Sequence, residues 1–198
     1  AVGNVTRRTE KSTGDYLAFI YDHRNRLTKI EKRNSGGTLL QEIRYGYDAE
    51  DRRIEKTVDG VSTYFVYHRD HVWAEFDAAG TLKARYLYGA KLDDVLAKWT
   101  PGQEVVWYFK DKQGSVQSVV DAGGGEVKTY AYDSFGAVTS ESNPSVTDRY
   151  RYTGREFEPE TGLYYYRARF YDPELGRFLG EDPLDFDGGQ WNLYQYVG

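Results

Sequence analysis

The sequence predicts a nearly all-β protein, and three observations carry that expectation. Aromatic residues make up 16% of the chain, with 19 Tyr against 9 Phe and 4 Trp, and such side chains favour pleated, half-buried surfaces. The 21 Gly supply turns at short intervals. A Tyr-centred unit recurs at Tyr21, Tyr47, Tyr67, Tyr88, Tyr108, Tyr132, Tyr152 and Tyr171, with steps of 19 to 26 residues, about the length of two strands and their turns. Hairpins of that size cannot each bury a core, so they are expected to stack edge to edge into one continuous antiparallel sheet.

The clearest copies are Tyr21 to Ile30 and Tyr47 to Lys56, and Tyr132 to Thr139 repeats their opening. In the pairs Tyr21-Asp22, Tyr47-Asp48, Tyr132-Asp133 and Tyr171-Asp172 a strand runs into Tyr, and the Asp hydrogen-bonds the backbone ahead of it to start a turn. Further hairpin turns are written at Asn34 to Gly37, Asp59-Gly60, Asp77 to Gly80 and Asp121 to Gly125. Strands are expected at Tyr64 to Tyr67, Arg85 to Tyr88, Val105 to Phe109, Thr129 to Tyr132 and Arg149 to Tyr152. In the last of these, period two puts Tyr150 and Tyr152 on one face and Arg149 and Arg151 on the other. Asp93 to Trp99 reads as a bend between strands. Leu163 to Tyr171 reads as one aromatic strand between Gly162 and the Asp172-Pro173 turn, with a short strand at Arg177 to Leu179.

Several function classes fall away on composition. The net charge is −5 with a pI near 5.3, and both signs are interspersed, so no basic footprint for nucleic acid is present. There is no Cys, hence no disulfide framework and no thiolate metal site. No apolar run reaches the ~20 residues of a membrane helix, and no signal peptide is visible. A mean hydropathy of −0.74 is low, but disordered chains lack aromatics, and the value fits wide, wet strands. The chain starts without Met and both ends read as cut from something longer.

The run Gly162-Leu-Tyr-Tyr-Tyr-Arg-Ala-Arg-Phe-Tyr-Asp-Pro-Glu-Leu-Gly-Arg-Phe-Leu179, followed by Asp182-Pro183, Gly188-Gly189 and Asn192 to Val197, resembles the RHS-repeat-associated core domain of Rhs and YD-repeat proteins. The resemblance implies a continuous curved sheet, part of a spiral β-shell like that of the C component of insecticidal Tc toxins, capped by the core-associated segment. It implies shell strands over residues 1–148 and a plug over residues 149–198. The expected function is to encapsulate, and help release or deliver, a C-terminal toxin or effector segment of the same polypeptide, from a secreted or cell-surface protein. A delivery apparatus and a cell-surface glycan are the further partners it implies.

The resemblance also marks Asp182. In the family, two Asp-Pro-x-Gly motifs roughly twenty residues apart supply an aspartic-protease-like pair that cuts after the core domain. Such chemistry needs two close carboxylates, one to activate water and one to donate a proton. This chain holds the first motif only, with Asp185 where the family has Gly. Self-cleavage is therefore expected only of a longer parent chain, not of this segment. No cofactor is expected. His68 and His71, with Asp70 nearby, would face opposite sides of a strand and lack a third ligand, so no metal site is expected. Gln113-Gly114-Ser115 lacks the spacing of a nucleophile elbow and reads as a turn. The alternative function is a cell-surface adhesion or carbohydrate-binding module using exposed Tyr and Trp, with Trp191 presented on a loop.

Overall fold

The structure is a computed structural model that describes residues 3–183 and 192–196. It contains seventeen strands: β1 Arg7–Thr9, β2 Tyr16–Tyr21, β3 Leu27–Arg33, β4 Leu39–Tyr47, β5 Arg53–Val58, β6 Val61–His68, β7 His71–Asp77, β8 Leu82–Tyr88 and β9 Val95–Trp99. There follow β10 Val106–Lys110, β11 Val116–Val120, β12 Glu126–Tyr132, β13 Val138–Glu141, β14 Glu156–Glu158, β15 Leu163–Tyr166, β16 Arg169–Asp172 and β17 Arg177–Phe178. Strands β1 to β13 form one sheet in strict chain order, and β14 to β17 form a second. The all-β antiparallel expectation is met. Among the described residues no helix is long and apolar enough to cross a membrane.

One turn makes six of the twelve connections in the large sheet. Asp22, Asp48, Asp77, Asp111, Asp121 and Asp133 each accept, on Oδ1, the backbone N–H groups two and four residues ahead, at 2.8–3.0 Å. The residue three ahead of each Asp has positive φ: Asn25 (61°), Asp51 (62°), Gly80 (78°), Gly114 (88°), Gly124 (84°) and Gly136 (91°). This is the three-residue hairpin loop that ends in a bulge, and the pairing register shifts beside each of these loops, as at Ile20/Tyr21 and Ala131/Tyr132. At Asp22, Asp48 and Asp133 the preceding Tyr adds a second tie, and Tyr88, which precedes Gly89, makes the same kind of bond. The hydroxyls of Tyr21, Tyr47, Tyr88 and Tyr132 donate to the backbone carbonyls of Val5, Leu27, Val72 and Val116 at 2.7–3.0 Å. Each bond carries one hairpin onto the backbone of the hairpin before it.

The chain divides into two compact units. The first comprises residues 1–64 and 166–198. Its buried side chains include Leu17, Phe19, Leu27, Ile30, Ile43 and Tyr45 of the sheet and Phe170, Tyr171, Phe178 and Leu179 of the tail. Tyr45 packs on Phe170 with ring centroids 5.1 Å apart. The fully buried Arg53 guanidinium lies 5.1 Å from the Tyr45 ring and 6.0 Å from Phe170. Tyr166, Tyr171, Phe178 and Tyr196 form an aromatic cluster with centroids 4.4 to 5.8 Å apart. Next to Tyr171, Asp172 bonds Arg8 of β1 at 2.9 Å and is 0% exposed. Asp172 also accepts the N–H groups of Glu174 and Leu175, closing the turn before β17.

The second unit is residues 65–165. Its core gathers Phe65, Val72, Ala84, Tyr86, Val95, Tyr108, Val116, Val119, Tyr130 and Tyr150. Tyr150 is the centre, with the rings of Tyr86, Tyr88 and Tyr108 set edge-on at 5.0, 6.1 and 6.4 Å. Arg149 is clamped between Glu75 at 2.9 Å and Glu156 at 2.5 Å, with its guanidinium 4.0 Å from the Phe65 ring. Burial opposes the charge of Arg149, but Glu156 and Glu75 hold it firmly cationic. Burial likewise works against an ionised Glu75, and Arg149 together with the Tyr86 hydroxyl overcomes it and lowers its pKa. Arg151 lies 4.0 Å from the Phe157 ring and 4.8 Å from Tyr130.

Three local expectations are corrected. Arg149 to Tyr152 is not a strand: Tyr150 makes a single bridge to Glu156, and Tyr152–Gly154 is one 3-10 turn with Thr153 at φ 49°. The alternation of faces fails with it, since Tyr150, Arg151 and Tyr152 are all buried. Leu163 to Tyr171 is not one strand but the hairpin β15–β16, turned at Arg167 with φ 62°. Asp93 to Trp99 is not simply a bend, because Val95–Trp99 forms β9 between β8 and β10.

Two stability outcomes follow. At Gly136 an added Cβ would lie 2.3 Å from a carbon of the buried Tyr152 ring, whereas at Gly124 it would meet nothing within 4 Å, and both have positive φ. Gly124→Ala should cost about 1 kcal/mol for the left-handed backbone alone, and Gly136→Ala about 3 kcal/mol once the steric clash is added, measured as urea unfolding free energies. Arg8→Met removes the cation from a carboxylate that is 0% exposed and should lower stability by about 2 kcal/mol, because a buried charge loses its partner. Unchanged urea midpoints would show that Asp172 is served by its backbone donors alone.

Candidate functional site

A cleft lies within the first unit. It has a volume of about 410 Å³ and is walled by the Asp22–Arg26 turn, by Tyr47 and Asp51, and by two tail stretches, Arg167–Phe170 and Leu179–Pro183. The volume falls in the range of sites that hold a small molecule or a few residues of peptide.

The turns bring charge to this cleft by a spacing visible in the sequence. Arg26 is four residues after Asp22, as Arg52 is after Asp48, and each Arg returns an ion pair to its Asp at 2.7 and 2.8 Å. Arg26 also reaches forward to Asp51 of the next Tyr-Asp turn at 2.8 Å and lies 5.0 Å from the Tyr47 ring. Arg24 pairs with the same Asp51 at 2.8 Å. Burial works against ionised Asp22, but the Arg26 side chain and the N–H groups of Arg26 and Arg24 more than offset it and lower its pKa. The hydrogen bond to Asp22 raises the pKa of Arg26. Two consecutive turns are therefore crosslinked by charge as well as by the Tyr47 hydroxyl bond to Leu27.

The tail contributes Asp182. Its Oδ2 lies 2.8 Å from Arg169 Nη2, and its backbone N–H donates to the Leu193 carbonyl at 3.0 Å. Arg169 donates to that same carbonyl through Nη1 at 3.1 Å and lies 3.8 Å from the Phe178 ring. Burial lowers the Arg169 pKa, with Asp182 pulling the other way. Asp182 is thus an oriented, ion-paired carboxylate on the wall of the cleft. The other carboxylates on the wall are Asp51, committed to Arg24 and Arg26, and Glu181, which accepts from Tyr194 at 3.1 Å.

The remaining residues singled out from sequence fall elsewhere. Tyr132 and Asp133 build the same turn in the second unit, and Tyr171 and Asp172 are buried in the tail of the first. His68 ends β6 and His71 begins β7, so a hairpin turn separates them, and His71 stacks on Tyr88 at 4.3 Å. Among the described residues no group of three or more His, Cys, Asp or Glu is placed to hold a metal. Ser115 is buried and its Oγ accepts the Thr153 N–H at 3.0 Å, which makes it a clasp for the 3-10 turn. Asp185, Gly188, Gly189, Trp191 and Val197 lie outside the described residues. Sequence reasoning missed Arg169 and Arg8, whose partners are 13 and 164 residues away, and no local spacing reveals such pairs.

A family model described as Teneurin YD-shell matches residues 16–195. The tRNA3(Ser)-specific nuclease WapA of Bacillus spizizenii is 34% identical over 187 residues, covering 91% of this chain and 8% of that protein. The double-stranded DNA deaminase toxin A of Burkholderia cenocepacia is 27% identical over 230 residues, covering 98% of this chain and 15% of that protein. The chain therefore spans a small fraction of the curated relatives it matches. Among solved structures, the crystal structure of TcdB2-TccC3-Cdc42 superposes with a TM-score of 0.70 at 22% identity, over 91% of this chain and 10% of that one. At that identity the likeness speaks for the fold. The family match takes in the Tyr-Asp hairpins and the tail through Gln195, and on it this chain belongs to the Teneurin YD-shell family.

Proposed function

We propose that this chain is a shell section of a bacterial toxin protein, and that its work is to encapsulate, and help release or deliver, a C-terminal toxin or effector segment of the same polypeptide. One observation carries the reading. A protein named as a tRNA nuclease and another named as a DNA deaminase toxin both match nearly all of this chain, which makes up only 8% and 15% of their lengths. A segment shared by proteins named for different chemistries performs neither of them. A scaffold role is what remains in common, and a sheet of mutually tied hairpins suits it.

Within this reading residues 1–148 supply shell strands and residues 149–198 supply the core-associated plug. Asp182 is one half of an aspartyl pair in the parent, oriented by Arg169, with the second carboxylate outside this chain. The parent would be secreted or displayed at the cell surface. A second reading, glycan binding at a cell surface, draws on Trp99, Trp107 and Phe109 of the second unit, which are 38, 43 and 58% exposed.

Three measurements separate these readings. Trypsin added to the intact parent should spare the C-terminal segment while digesting that segment when it is expressed alone; equal digestion would remove encapsulation. Asp182→Asn in the parent should leave the precursor uncut on a gel, and normal processing would take Asp182 out of the cleavage step. Glycan-array binding that is lost in Trp107→Ala would favour the second reading, and an array without binding would dismiss it.

A further inference from the structure

The junction that opens the tail begins with a carboxylate in an unusual place. Asp148 is 8% exposed and sits at the head of the segment that lies over the tyrosine core of the second unit. Its Oδ1 accepts two hydrogen bonds, from the Tyr108 hydroxyl at 2.7 Å and from the Arg149 N–H at 2.9 Å. Its Oδ2 is buried and, among the described residues, has no hydrogen-bond partner. Ionised, Asp148 would bury a negative charge with one oxygen unanswered, whereas the neutral acid buries only a polar group, at a much smaller cost.

We propose that Asp148 is a proton-operated latch: protonated, it lets residues 148–154 lie sealed on the tyrosine core, and ionised, it loosens that segment. The surroundings bear on the same point. From β8 and β12 the groups near enough to feel its charge are the phenols of Tyr86, Tyr130 and Tyr132. From β10 it is faced by the Tyr108 phenol, its hydrogen-bond donor. The cations that favour its ionised form are Lys98 on β9 and Arg151 on its own segment. Arg149 next to it is already clamped by Glu75 and Glu156, and Arg151 lies 3.5 Å from Glu141 of β13. Burial raises the Asp148 pKa, against the lowering pull of Lys98, the Tyr108 hydroxyl, the Arg149 N–H and Arg151.

What the latch holds is strained. Tyr152–Gly154 carries a β-branched Thr153 at φ 49°, a backbone region that such residues avoid. It is kept by the Val116 N–H bond to the Arg151 carbonyl and by the Ser115 clasp on Thr153, both 3.0 Å. A segment with stored strain and a charge-sensitive anchor is the part of the unit most ready to open.

The sign of the effect is fixed by linkage. The native state holds the Asp148 proton more tightly than the unfolded chain, whose Asp titrates near pKa ~3.9. The stabilisation is complete below that value and is lost as pH rises through the raised native one. The test is urea unfolding of the 198-residue chain and its Asp148→Asn variant at pH 7.5, 5.5 and 3.5. Asn keeps both acceptor bonds of Oδ1, removes the ionisation and places a neutral donor group where the hydroxyl of the acid would stand. The variant should show the higher urea midpoint at pH 7.5, with the gap closing towards zero at pH 3.5. An equal or lower midpoint at pH 7.5, or a gap that ignores pH, overturns the proposal. Should the variant not fold, the ¹³C carboxyl titration of Asp148 in the unmodified chain decides: a midpoint above the ordinary Asp range supports the latch, and one at or below it overturns it.

Discussion

The large sheet depends on the Asp whose carboxylate closes its own turn, coupled at Tyr21-Asp22, Tyr47-Asp48 and Tyr132-Asp133 to a Tyr whose hydroxyl reaches back along the sheet. Either alone is modest, since a hydrogen bond contributes about 1 kcal/mol net and somewhat more when one partner is charged. Their joint effect is larger than that figure implies. An isolated hairpin is marginal in water, so its stability comes from neighbours. The bonds from Tyr47 to Leu27 and from Tyr132 to Val116 connect successive hairpins, so that fixing one turn positions the next. The bulge at each Asp turn is set by a left-handed residue three positions on, and this is why Asn25 and Asp51 stand where four other turns use Gly.

A sheet rich in Tyr buries phenols, and phenols accept charge nearby more readily than aliphatic side chains do. Arg53, Lys128 and Arg151 are each buried, and each faces an aromatic ring: Tyr45 at 5.1 Å, Tyr130 at 5.3 Å and Phe157 at 4.0 Å. The ring face offsets part of the desolvation cost, and carboxylates such as Glu141, 2.8 Å from Lys128, supply the rest. Buried ion pairs add little net stability but make mispairing expensive, because a displaced partner leaves a naked charge. In an array of near-identical hairpins, register errors are the main hazard. Uniquely placed cations under particular rings discriminate among copies that the Tyr-Asp turns alone would leave equivalent.

The repeat was legible because its determinants are local. Asp133 and Gly136 specify a turn within four residues, and Tyr132 ahead of them needs only the previous hairpin. What escaped was set by distant partners. The β15–β16 turn carries no Gly, Asn or Pro, only Arg167 forced to φ 62°, so the aromatic run around it reads as unbroken. Tyr150 was expected on a regular strand, but it is drawn out of alternation by three tyrosines 42 to 64 residues earlier in the chain. The Asp22/Arg26 half of the cleft could be read from spacing alone. The Arg169 half could not, since Asp182 meets it only after β16, β17 and their turn have folded.

The tail joins these strands of argument. Arg169 holds Asp182 and the Leu193 carbonyl together, while Asp182 returns its own N–H to that carbonyl. The closed set of three bonds fixes the carboxylate relative to the segment Asn192–Tyr196, whose Tyr196 ring packs on Tyr171 at 4.4 Å. Position is therefore transmitted from the aromatic core to the carboxylate through a rigid chain of contacts, with Phe178 beneath the guanidinium. A carboxylate recruited for chemistry needs such preorganisation, and a plug that must stay seated needs the same aromatic anchoring. The two roles proposed for the tail draw on one arrangement: loosening Arg169 would disturb both, whereas Asp182→Asn would remove the proposed chemistry and leave the packing of Tyr166, Tyr171, Phe178 and Tyr196 in place.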